Sequence, residues 1–105
     1  MDRTALEHVA KLFGVFADAT RLSILLELKG GPLSVGELVD RLELTQGNVS
    51  KQLKILSDNG LLDRHKSGSK VIYSIGDEMI FPLCNQVCDK LNRDLSSKPN
   101  WIYQI

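Results

Sequence analysis

Apolar residues recur along the chain in short bursts at three- and four-residue spacing, separated by turn formers. That is the pattern of successive amphipathic helices. Leu6, Val9, Ala10, Phe13 and Phe16 form the first burst, and Thr4 with Glu7 three residues on predicts its capping box. A second helix restarts at Asp18 or Thr20, with Leu22, Leu25 and Leu26 inward and Ile24 and Leu28 adding apolar bulk. Gly30-Gly31-Pro32 stops it, because glycine tolerates a left-handed exit and proline cannot continue a helix. Ser34 and Glu37 predict a capping box for a third helix with Val35, Leu38, Val39 and Leu42 inward. After Glu43-Leu44-Thr45, Thr45 caps a fourth helix whose core face is Val49, Leu53 and Leu56, ended by Asn59-Gly60.

The period then changes. Leu61 and Leu62 open a strand-like stretch to His65, Lys66-Ser67-Gly68-Ser69-Lys70 makes a polar turn, and Val71, Ile72, Tyr73 and Ile75 form a return strand. A last helix carries Ile80, Leu83, Cys84, Val87, Cys88, Leu91 and Leu95 on one face. Pro82 lacks a backbone donor, so the regular helix begins near Ile80 or Phe81, or is kinked. Ser96 to Asn100 reads as irregular, and the apolar Trp101, Ile102, Tyr103 and Ile105 either pack back or fray. Two helices joined by a three-residue turn, then a hairpin, predict a winged helix-turn-helix. The fold class is mostly α with a small β-hairpin, with a domain at 1–95 and a tail at 96–105.

Composition narrows the partners. A chain of 105 residues supports one small domain, for which dimerisation would add stability. It has no apolar run long enough to span a bilayer and no secretory leader, so the expected compartment is cytoplasmic and no membrane partner is expected. The net charge is zero, but from Thr45 to Ile75 five basic residues against two acidic ones leave +3. That local excess is a usable footprint for nucleic acid.

Three stretches, in order and correctly spaced, resemble the ArsR-type (ArsR/SmtB) family of winged-helix repressors. They are Phe16 to Leu26 (FADATRLSILL), Leu44 to Leu56 (LTQGNVSKQLKIL), and Gly60 to Arg64 (GLLDR) with Val71 to Ile75 (VIYSI). The resemblance runs from about Leu6 to Leu91. It implies a bacterial-type repressor of transcription and a homodimer built from the first and last helices. The interface would draw on Leu6, Val9, Phe13, Ile80, Leu83, Cys84, Val87, Cys88 and Leu91. Many members carry histidine where this chain has Gln52.

A recognition helix enters the major groove with its N-terminal residues near base edges. With Val49, Leu53 and Leu56 inward, the outward surface holds Gln46, Gly47, Ser50, Lys51 and Lys54, with Asn48 at the margin and Thr45 at the phosphate-favouring helix start. Arg64, Lys66, Ser67 and Lys70 of the wing would grip the flanking backbone. The expected partner is a double-stranded operator with two half-sites about 34–36 Å apart, or a multiple of that.

Cys84 and Cys88 raise a sensing alternative, since paired across a dimer they would offer four thiolates to a metal, or their thiols would carry redox or persulfide chemistry. Both lie on the apolar stripe, where cysteine acts as a small hydrophobe, and packing is the reading adopted. The third helix, where metal-sensing relatives place cysteines, has no sulfur, and no histidine falls in the last helix. No metal or other cofactor is expected. His8 is read as an exposed or interface residue, and His65 as solvated or phosphate-contacting. An enzyme is excluded by the lack of any phosphate loop, nucleophile motif or metal-plus-acid constellation. The competing class is a winged-helix module that binds protein, which would want a more apolar outward face.

Overall fold

The structure is a computed structural model and describes residues 1–94 and 103–104. Leu95, Ser96 to Asn100, Trp101, Ile102 and Ile105, together with the boundary expected after residue 95, lie outside the described residues. Among the described residues, five helices and a three-stranded sheet follow one another as α1 (Arg3–Phe16), α2 (Ala19–Lys29), β1 (Leu33–Ser34), α3 (Val35–Leu42), α4 (Gln46–Asp58), β2 (Leu62–Ser67), β3 (Lys70–Ile75) and α5 (Ile80–Arg93). No helix among the described residues is long and apolar enough to cross a membrane.

Local chemistry sets most of the boundaries. The expected Thr4 cap is replaced by Asp2, whose carboxylate accepts from the Ala5 N–H at 2.8 Å. A carboxylate is favoured at the positive end of the helix dipole, so the helix starts earlier, and Glu7 pairs with Arg3 instead of closing a box. Asp18 caps α2 through the Arg21 N–H at 3.0 Å. Ser34 and Glu37 form the full capping box of α3. Thr45 caps α4, its hydroxyl accepting from the Asn48 N–H. The three-residue turn before α4 is tight enough to put Glu43 in the left-handed region at φ 54°. At the far end of α4, Leu61 N–H donates to Leu56 C=O and Gly60 N–H to Ser57 C=O. This Schellman closure needs the positive φ (73°) that Gly60 supplies.

The core is one cluster. Ile24, Leu25, Leu38, Val49, Leu53, Leu56 and Leu61 are all but inaccessible, and Phe16, Leu33, Leu62, Tyr73 and Ile80 close around them. Leu26, expected inward, is 41% exposed. The α2 sequence offers two overlapping apolar stripes, and the one through Ile24, Leu25 and Leu28 faces the core. Ile80, expected at a dimer interface, is packed inside its own chain at 2% exposure and has no surface left for a partner.

The sheet has one strand more than the expected hairpin. β1 pairs antiparallel with β3 (Leu33 with Tyr73, Ser34 with Ile72), giving the order β1-β3-β2. The wing turn is also shorter than expected. Pairing continues to Ser67 and Lys70, leaving Gly68-Ser69 as a two-residue loop with Gly68 at φ 65°. In α5, Pro82 is the third helical residue, where the missing N–H would have had no intrahelical partner, so the helix begins at Ile80.

Candidate nucleic-acid interface

α4 is divided sharply between two environments. Val49, Leu53 and Leu56 are at 0% exposure, while Thr45, Gln46, Gly47, Ser50, Lys51 and Lys54 are exposed. Asn48 is half-buried at the margin. Arg64, Lys66, Ser67 and Lys70 are all exposed on the wing. Of the residues expected on a DNA-facing surface, only Asn48 is not fully presented.

The charges on this surface are tied to the fold around it. Lys54 pairs with Asp58 one turn on at 2.9 Å, both largely in solvent, a geometry that contributes little stability. Asp18 is held below the usual carboxylate range, first by the Arg21 backbone N–H and, after desolvation opposes it, by the Arg21 guanidinium, with a smaller pull from Lys51. Glu37 is lowered by the Ser34 backbone N–H, then by its hydroxyl, with Lys70 a minor contributor. Lys51 therefore lies near the start of α2, and the Lys70 end of the wing lies near the start of α3.

Behind α4 lies a group that the sequence did not single out. The Arg21 guanidinium donates through Nε to Val15 C=O at 2.7 Å, through Nη2 to Gly14 C=O at 3.3 Å and through Nη1 to Gln52 Oε1 at 2.8 Å. Buried Gln52 then donates through Nε2 to Asn48 Oδ1 at 3.0 Å. One side chain thus satisfies the last carbonyls of α1 and anchors the inner face of α4. Its position inside the ArsR-like stretch was the available signal, but its partner Gln52 is 31 residues away.

The apolar faces of α1 and α5 lie apart from this surface. Leu6, Val9 and Phe13 are 50%, 43% and 57% exposed, and Val87 is 52% exposed. A groove of about 420 Å³ between the two helices is lined by His8, Val9, Phe13, Met79 and Leu83 among others. A second apolar groove of about 190 Å³ runs between α2 and α5, where Cys84 and Cys88 sit half-buried with Leu22, Leu25, Phe81 and Leu91. Burial, and secondarily Cys88, pushes the Cys84 thiol up. Among the described residues, no three His, Cys, Asp or Glu side chains converge as a metal site. His65 is exposed on β2.

A sequence signature described as a helix-turn-helix domain matches residues 16–65. The HTH-type transcriptional regulator NmtR of Mycobacterium tuberculosis is 33% identical over 86 residues, which are 82% of this chain and 72% of that protein. The chain belongs to the ArsR/SmtB family. Other curated relatives of this ArsR/SmtB chain are longer, and it spans 56–64% of several of them. The crystal structure of Rv0081 from M. tuberculosis superposes with a TM-score of 0.81 at 31% identity, covering 92% of this chain and 98% of that one. The Mb0332 domain from Mycobacterium bovis, described as a homodimeric winged helix-turn-helix DNA-binding domain, shares the fold at 24% identity and a TM-score of 0.72, with 99% and 96% covered. This family is one of regulators, not enzymes.

Proposed function

We propose that the chain is an operator-binding transcriptional repressor acting in the cytoplasm as a homodimer on an inverted repeat, with no resident metal. The observation that carries this reading is the division of α4. Val49, Leu53 and Leu56 are buried on one side of it, and Gln46, Ser50, Lys51 and Lys54 are exposed on the other beside a basic wing. An exposed helix start, Gln46 and Ser50 for base edges, and Lys51 and Lys54 for bases or phosphates form a coherent reading surface. The wing residues Arg64, Lys66, Ser67 and Lys70 supply sequence-independent grip. The twofold copy docks on the exposed apolar residues Leu6, Val9, Phe13, Val87 and Leu91, with half-buried Leu83, Cys84 and Cys88 continuing the stripe along α5.

The protein-module alternative is disfavoured, because Gln46, Ser50, Lys51 and Lys54 form a charged, polar face instead of an apolar anchor. Lys51→Glu combined with Lys54→Glu is expected to abolish retardation of the neighbouring promoter fragment in gel shift while sedimentation still shows the dimer. Undiminished retardation by a folded double variant overturns the assignment of α4.

A further inference from the structure

We infer that Arg21, from behind α4, dictates which base edge Asn48 reads. The inference rests on the DNA-reading role proposed for α4, and it follows from the polarity of each group in the chain of bonds. A guanidinium has donors and no acceptor, so the Gln52 atom facing Arg21 Nη1 must be Oε1. That turns Gln52 Nε2, a donor, toward Asn48, and the Asn48 atom meeting it must be Oδ1. Asn48 is left with Nδ2, which has no partner among the described residues and is not an enclosed atom. An asparagine that was free to rotate would offer both a donor and an acceptor, the pairing used bidentately on adenine. Here one of that oxygen's two lone pairs is taken by Gln52, which pins the rotation of the carboxamide and leaves Nδ2 as its unengaged group, at the third residue of the recognition helix.

In the major groove a donor held in this way fits an acceptor-bearing edge, guanine N7 and O6, adenine N7 or thymine O4, and is mismatched to the cytosine amino group. Arg21 and Gln52 touch no base in this arrangement. They are positioning residues whose effect reaches DNA only through the orientation of one carboxamide. The selectivity attributed to Asn48 is thus a property of three residues on two helices.

The test is selection from a random-sequence duplex library by the full-length protein, followed by sequencing of the bound fraction. The wild type is expected to select an operator in which one position per half-site disfavours cytosine against the acceptor-bearing bases by on the order of tenfold. Gln52→Glu still accepts from Arg21 but has no donor for Asn48, so the Asn48 amide turns over and presents Oδ1. The preference at that position should move toward cytosine although the altered residue contacts no DNA. Asn48→Asp keeps the bond from Gln52 and should move the same position the same way. A wild type that selects an operator while both variants bind with its unaltered preferences overturns the inference. If Gln52→Glu fails to fold, unchanged preference in Asn48→Asp overturns it alone. A wild type that enriches no sequence defeats the DNA-reading role itself, a separate outcome.

Discussion

Ser57 lies on α4 with its Oγ enclosed and without a hydrogen-bond partner among the described residues. A buried hydroxyl left unpaired carries its desolvation cost uncompensated. Ser57→Ala should therefore raise stability by about 1 kcal/mol, read as a higher urea midpoint at unchanged slope. Cys84 shows the opposite adjustment, a polarisable group placed among apolar neighbours that favour its neutral form. Because its thiol is pushed up by burial, less thiolate is present at neutral pH than for a free cysteine. Labelling of Cys88→Ser by a disulfide reagent at pH 7.5 should be slower than labelling of a model thiol, and denaturant should remove the difference. Labelling at the free-thiol rate in the folded state would refute packing as the role of Cys84.

At the scale of the elements, the capping groups make stability depend on acid. Asp18 and Glu37 are both lowered in the folded chain, so each contributes fully above its unfolded value of about 4. That contribution is lost as pH falls through the lower folded values. The urea midpoint should be level from pH 6 down to about 5 and decline below about 4. Glu37→Gln, which keeps an acceptor for Ser34 but does not ionise, should flatten part of that decline. An acid limb identical to wild type would remove Glu37 from the account. These caps were legible because an N-cap and its partner lie within three residues of each other. The order of helices, turn and wing was legible for the same reason. β1 was not, since two residues carry no periodic signal and Leu33 and Ser34 become a strand only by meeting Ile72 and Tyr73. The Arg21 linkage escaped because Gln52 lies 31 residues from it, on another helix. Leu26 and Ile80 were misplaced because helical spacing ranks residues around a helix without saying which flank the rest of the chain will cover.

The whole molecule is open for its length. Its Cα radius of gyration is 15.6 Å, against about 13 Å for a compact domain of this size. Within α1 only Val15 and Phe16 are buried, so most of that helix stands clear of the core with its apolar side uncovered. A second copy laid against α1 and α5 would remove that exposure. Phe13→Glu should shift the chain from dimer to monomer in sedimentation and lower its melting temperature. A dimer that survives this change would place the interface elsewhere.

Both borders of the sheet are protected. One is β1, only two residues long, and the other is β2, whose outer residues Arg64, His65 and Lys66 are polar and exposed. A bare strand border is a template for runaway self-association, and cationic side chains along it discourage a second strand from adding on. The side chains proposed to hold phosphate would thus also keep free molecules from fibril-like stacking in the intervals when no nucleic acid is held.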